Sequence, residues 1–191
     1  MNLIDPTRQF SVDADRSILV FDGLFDPREI ANFSTVIAQL DYERRASFDN
    51  ELNCNIDNEA FRRAPFLYPA LEALLAKYRQ RFGISDPSVG LSHVYASAVD
   101  PRNSLLPHQD SPVPEAVSFL YYGNVAWKLD WNGETIFYDA SGEVVAGVMP
   151  KPGRLAMFHS NIFHRGGAPH QDAPTLRYTI ASFFFPGCRT V

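Results

Sequence analysis

A mainly β domain with flanking helices is the fold class this sequence predicts, on three observations. Two helical patterns occupy the first half of the chain, short apolar or alternating runs follow from residue 89 onward, and Pro, Gly, Asn and Asp separate those runs. Many short strands with regular turn signals point to a sandwich or a barrel-like jelly roll. The helices are then expected to buttress the outer face of one sheet.

In the first helical stretch, FDPREIANFSTVIAQLD, Asp26 and Pro27 form a cap and first-turn signal. Ile30, Phe33, Ile37 and Leu40 then recur at helical spacing and define one buried face. In the second, LYPALEALLAKYRQRFG, Leu71, Leu74, Leu75, Tyr78 and Phe82 share one side before Gly83 ends the helix. It is expected to pack beside the first. Residues 42–66 mix charged and aromatic residues without a period and read as a loop, either a solvent-exposed connection or a cover over the barrel mouth. Six strands are expected in VGLSHVYASAV, VSFLYYGNV, ETIFYD, EVVAGVM, GRLAMFHS and TLRYTIASFFF, with DASG as a hairpin turn between the third and fourth.

At 191 residues the chain suits one domain with a sizeable core. A helical buttress over about 20–85 and a β core over about 89–186 make up a single 1–191 unit, with no repeat or linker to divide it. Apolar residues are 46% and charged residues 20%, as in globular proteins. The formal net charge is −5 and no Lys/Arg-rich block occurs, so the usual electrostatic footprint of a nucleic-acid or anionic-membrane binder is missing. Cys54 and Cys188 are too few and too distant for a disulfide framework or a thiolate metal site and read as free thiols. The N-terminus lacks the basic and apolar regions of a secretory signal, and no apolar run approaches the roughly 20 residues that span a bilayer. A cytoplasmic location is the expectation.

Three residues carry the chemistry. His108 and Asp110 are one residue apart, so on an extended segment their side chains point the same way. His164 follows the apolar run GRLAMFHSNIF and belongs to a distant strand that folding brings alongside. Two imidazoles and one carboxylate are the ligand set that holds non-heme Fe(II) with coordination positions left open. Taken alone, His-x-Asp is a weak pattern, and a surface-loop histidine is the plain alternative for His108. Arg177 lies on a strand where Arg177, Thr179, Ala181 and Phe183 share one face by period two. An inward arginine is costly without an anionic partner; a structural salt bridge is the competing reading. His93 and His170 read as structural or surface residues, and Trp127 and Trp131 as packing in the barrel wall.

Several ordered motifs then coincide: His108-Gln109-Asp110, LYYGNVAWKLDWNGETIFYD, PKPGRLAMFHSNIFHRGG and LRYTIASFFF. Together they resemble the Fe(II)- and 2-oxoglutarate-dependent oxygenases, within them the prolyl-4-hydroxylase-like branch, over roughly residues 90–186. The resemblance implies a double-stranded β-helix, or cupin-like jelly roll, with the metal inside its open end. It implies that His108, Asp110 and His164 are the ligands and that Arg177 grips the distal carboxylate of 2-oxoglutarate, which a planar guanidinium suits. The spacing from His164 to Arg177 exceeds the family's common one because HQDAP inserts a polar loop. His159 precedes the family's ligand position and is read as a strand residue. Arg165 directly follows the ligand and is expected to point away. Tyr95 and Tyr122 fall where the family often donates a hydroxyl to the cosubstrate; aromatic packing is the alternative for each. Asn132 replaces the first glycine of the family's Gly-Gly-Glu turn and tolerates positive φ better than most residues. Gly153 marks a turn before the strand leading to His164.

The activity implied is a hydroxylase that uses Fe(II), 2-oxoglutarate and O2 and releases succinate and CO2. The expected substrate is a small molecule or amino-acid-derived metabolite, because the chain is short, acidic and without an added peptide-binding module. Peptidyl prolyl 4-hydroxylation is the alternative, and a non-catalytic cupin-like binding protein is the alternative from another class. Related halogenases replace the carboxylate ligand by a small residue; Asp110 therefore disfavours halogenation.

Overall fold

The computed structural model describes residues 5–44, 52–103 and 105–189. In chain order the elements are β1 (Arg8–Ser11), β2 (Ser17–Phe21), α1 (Pro27–Ala38), β3 (Glu43–Arg44), β4 (Leu52–Ile56), α2 (Asn58–Arg62), α3 (Leu67–Tyr78) and β5 (Gly90–Val99). Then follow β6 (Val117–Tyr122), a 3-10 turn (Leu129–Trp131), β7 (Thr135–Tyr138), β8 (Val144–Val148), β9 (Leu155–His159), β10 (His164–Gly166) and β11 (Arg177–Phe185). Eight strands form an antiparallel sheet in the order β1-β2-β9-β6-β11-β5-β4-β3, and three form a second sheet, β10-β7-β8. This is the expected mainly β jelly roll, a double-stranded β-helix with flanking helices.

Period two divides the large sheet between two cores. Leu19, Phe21, Phe119, Tyr121, Met157, Ile180 and Phe184 face the helices, where they bury Ile37 of α1 and Leu71, Leu74 and Leu75 of α3. Their neighbours Ile18, Val20, Tyr122, Ala156 and Phe158 face the small sheet and pack on Phe137, Ala146 and Val148. The inner core fills one end of the roll and leaves the other for polar side chains.

The expected α1 starts with a capping box: Asp26 Oδ1 accepts from Arg28 N at 2.7 Å, and Glu29 Oε2 accepts from Asp26 N at 2.9 Å. Ile37 is fully buried, whereas Leu40 lies past the helix end. The second helix ends at Tyr78, earlier than Gly83, and meets α1 through an edge contact between Phe66 and Phe33 at 4.9 Å. All six expected strands form, and Asp139 to Gly142 make the β7–β8 hairpin with Gly142 at φ 88°. Asn132 takes φ 53°, as the turn reading requires.

The N-terminal part is not simply a helical buttress. It contributes β1, β2, β3 and β4, four of the eight strands in the large sheet. β2 is SILVF, buried at every position, so both faces are apolar and alternation is absent. The stretch expected to be a loop, 42–66, holds β3, β4 and α2, and LNCNI of β4 does alternate; residues 45–51 lie outside the described residues. Trp127 and Trp131 are also placed differently. They meet edge to face at 5.6 Å in the loop around the 3-10 turn, outside the barrel wall, with Trp127 Nε1 donating to Asn132 O.

His159 ends β9 as a structural residue, stacked on Phe82 at 4.3 Å, with Nδ1 accepting from Ser17 N at 3.1 Å. Burial holds its pKa below the ordinary histidine value. Protonation therefore favours the unfolded chain, and stability falls as pH drops below about 6.5. His159→Gln is expected to flatten the loss of Tm between about pH 7 and 5.5 relative to wild type, read by thermal melts. Gly153, at φ 67°, precedes β9, and a Cβ there would lie 2.5 Å from Ile30 Cδ1. Gly153→Ala is expected to cost about 1–3 kcal/mol in urea unfolding, from backbone strain plus overpacking.

Candidate metal centre

The two histidine carriers are hydrogen-bonded to each other. His108 N donates to His164 O and His164 N donates to His108 O, each at 2.9 Å, an isolated antiparallel bridge at the free edge of β10. Residues that exchange both bonds in this way project their side chains on one face as neighbours. The rings follow, with centroids 4.6 Å apart. Two residues on, Asp110 N donates to Ser160 O at 2.9 Å, which fastens the carboxylate's backbone to the segment just past β9.

The donor atoms of His108, Asp110 and His164 all lie within 4.8 Å of one another. Asp110 Oδ1 is 3.6 Å from His108 Nε2 and 3.7 Å from His164 Nε2. Hydrogen bonds behind the donors orient them. Nδ1 of His108 donates to Leu106 O, and Nδ1 of His164 donates to Ile162 O, each at 3.0 Å. Each Nε2 is thereby left with its lone pair facing inward. Ser118 Oγ donates to Asp110 Oδ2 at 2.6 Å and lies 2.8 Å from Ser160 Oγ, so Oδ1 is the oxygen turned toward the imidazoles. Burial holds His164 below the ordinary histidine pKa, so its ring is neutral at pH 7, the form a metal requires. This donor set fits a divalent iron of the two-histidine, one-carboxylate kind.

Arg177, at the start of β11, is 2% exposed and lines the same cavity as the triad. Its Nε donates to Gly133 O at 2.6 Å, one terminal nitrogen donates to Thr135 Oγ1 at 2.8 Å, and its Cζ lies 5.4 Å from the centre of the Tyr122 ring. Gly166 keeps space beside the other terminal nitrogen: a Cβ there would sit 3.4 Å from it and 2.9 Å from Leu105 Cδ1. The cavity, about 200 Å³, runs from Arg177 and Thr179 past Tyr95 and Ala181 to the triad. Every inward residue read from the alternation of β11 lies in its wall.

Tyr95 lines this cavity. Tyr122 does not, among the described lining residues: it is 1% exposed behind Arg177, and its hydroxyl donates to Thr135 Oγ1 at 2.8 Å. The sequence places it correctly on β6 but cannot show that its ring backs the guanidinium and faces away from the cavity. Arg165 points away, its Nε donating to Tyr138 Oη at 2.8 Å. Cys54 and Cys188 are free, and His170 is exposed. The sequence reading missed Ser118 and Thr135, which brace Asp110 and Arg177. Inward serine and threonine on otherwise apolar strands were the available signal.

Residues 92–185 match the model of the 2OG-Fe(II) oxygenase superfamily. The fold resembles a prolyl hydroxylase from Trichoplax adhaerens, solved with a hypoxia inducible factor oxygen degradation domain peptide fragment, at 18% identity and TM-score 0.68, covering 88% of this chain and 83% of that one. It resembles a Pseudomonas putida prolyl-4-hydroxylase at 15% identity and TM-score 0.70, covering 88% and 92%. It also resembles HygX from Streptomyces hygroscopicus, solved with nickel and 2-oxoglutarate, at 14% identity and TM-score 0.59, covering 90% and 84%. No curated protein sequence matches the chain. Residues 92–185 of the chain belong to the Fe(II)- and 2-oxoglutarate-dependent oxygenases. The protein is a dioxygenase that takes Fe(II) as cofactor and 2-oxoglutarate and O2 as cosubstrates. Among the described residues no helix is long and apolar enough to cross a membrane.

Ser118 tests how far the supporting hydrogen bonds set the centre. Ser118→Ala removes the restraint on Asp110 Oδ2, and metal affinity is expected to fall about 10- to 100-fold in a Mn(II) titration followed by electron paramagnetic resonance.

Proposed function

We propose that the chain hydroxylates an unactivated C–H bond of a small molecule, with His108, Asp110 and His164 as iron ligands and Arg177 as the residue that holds 2-oxoglutarate. One observation carries this reading: a converged, oriented triad and a buried guanidinium share one cavity of about 200 Å³. When bound, iron with 2-oxoglutarate and O2 supplies the oxidising chemistry, by which one oxygen atom enters the C–H bond and the other leaves in succinate, with CO2 released.

The protein's part is binding, orientation and exclusion of water. His108, Asp110 and His164 would hold the ion through three donor atoms that converge within 4.8 Å of one another. Arg177 offers charge-assisted hydrogen bonds to a carboxylate at the closed end, with its other donors fixed by Gly133 and Thr135. That anchoring sets how far the cosubstrate reaches toward the triad. Tyr95 stands on the cavity wall between the two and can donate its phenol to a carboxylate oxygen. Phe158 and Leu120 in the wall exclude water. The retained Asp110 favours hydroxylation over halogenation.

The small-molecule reading is supported by the compact cavity, whose wall includes the apolar Leu105, Leu106 and Phe183. Peptidyl prolyl hydroxylation is the second reading, favoured by the two prolyl hydroxylases among similar folds.

Anaerobic addition of Fe(II) and 2-oxoglutarate is expected to give a weak metal-to-ligand charge-transfer absorption, followed by succinate in air. His108→Ala or Asp110→Ala should abolish both. Arg177→Gln should raise the KM for 2-oxoglutarate at least about tenfold through loss of a charge-assisted pair. No absorption and no succinate from the wild type would refute the oxygenase site, whereas turnover on proline-rich peptides but no metabolite would select the second reading.

A further inference from the structure

Tyr95 and Phe183 of the cavity wall continue into a row of rings. His93 stacks on Phe183 with centroids 4.3 Å apart and planes 14° apart; Tyr95 stacks on Phe183 at 5.5 Å; Phe185 meets His93 edge-on at 5.6 Å. A β-bulge makes the arrangement. Phe183 pairs with His93, but the next residue, Phe184, pairs with Leu91. Ser92 is thus the extra residue, and past it Leu91 and Phe184 turn to the helix core. His93 and Phe183 are left facing the roll's open end, His93 exposed and Phe183 covered by its neighbours.

The row lies level with the metal centre. Phe183 pairs with His93 on one side and with Ser118 on the other, and Ser118 is the residue that holds Asp110. Two strand spacings, about 10 Å, separate His93 from Ser118. Burial holds the His93 ring below the ordinary histidine pKa. The ring is therefore neutral at pH 7.

Charge narrows the ligand. Among the described lining residues the formal charges are Asp110 and Arg177, and both are used by the iron and the cosubstrate. A free amino acid, or any carboxylate substrate, would bring a charge into the cavity with no complementary side chain in its described wall, at the cost of desolvating that charge.

We propose that the substrate is an uncharged molecule carrying a flat ring, and that this ring stacks at the rim formed by His93, Phe183 and Phe185, with its target C–H bond directed at the triad. His93 is the specificity-determining residue. The proposal rests on the hydroxylase reading of the cavity and narrows its substrate class.

His93 is the exposed member, so its replacement spares the buried Phe183. Saturation-transfer NMR titrations on the full chain with Zn(II) and 2-oxoglutarate present, so that Asp110 and Arg177 are engaged, measure the rim without needing turnover, with indole, cyclohexanol, L-tryptophan and L-proline as probes. Indole is expected to bind more tightly than the other three, because it alone is both flat and uncharged. His93→Ala should weaken indole by about tenfold, the size of one lost ring contact, and His93→Phe should restore it. L-tryptophan or L-proline binding as tightly as indole, or indole binding unchanged in His93→Ala, would overturn the proposal. The anaerobic absorption with Fe(II) and 2-oxoglutarate separates the two claims. If it is present while indole fails to bind, the rim assignment alone falls; if it is absent while indole binds through His93, the hydroxylase reading falls.

Discussion

The pair of backbone hydrogen bonds between His108 and His164 is the constraint on which the rest of the site depends. It joins a short loop segment to the free edge of β10 and sets two imidazoles side by side before any ion arrives. Neither segment has the length to hold this geometry alone: β10 spans three residues and His108 belongs to no strand. The jelly roll supplies the rigidity. β10 is pinned by β7, and Asp110 is fastened through Ser160 to the segment that follows β9. Ligand geometry is thus a property of the backbone, refined by carbonyl oxygens that fix each imidazole's tautomer.

Along the roll the environment changes in a single direction. At the closed end Arg177 is buried with Gly133 O, Thr135 Oγ1 and the Tyr122 ring around it. Thr135 accepts from Arg177 and Tyr122 together, so one hydroxyl serves both groups. In low dielectric, a fixed cation attracts a carboxylate more strongly than a solvated one does. At the open end the rings of His93 and Phe185 meet solvent and carry no formal charge. A charged cosubstrate at Arg177 and an uncharged, flat substrate at the rings are the pair we propose for this gradient.

The legible part of the fold was the part whose two faces differ. β11 alternates strictly because one face meets the helices and the other the cavity, and each inward residue read from it, Arg177 included, lines the cavity. α1 was legible through Asp26 and Pro27 together with its apolar face. β2 was not, because SILVF is covered on both sides and carries no period. β4 was overlooked although LNCNI alternates, since its five residues sit among charged and aromatic neighbours of no regular pattern. The Trp pair was misplaced because large aromatics signal burial in general and name no surface.

By itself the sequence determined the chemistry available: two imidazoles, one carboxylate and one arginine, on segments whose period aimed each side chain inward. That much follows from side-chain type and from the two-residue repeat of an extended chain. Only the tertiary structure decided which atoms meet. Strand pairing brought His164 to His108 across 55 intervening residues, turned Tyr122 behind the guanidinium, and set Ser118 and Thr135 as the braces. The bulge at Ser92 likewise carried His93 to the rim. These are long-range pairings chosen by burial of whole sheet faces, and no local pattern encodes them.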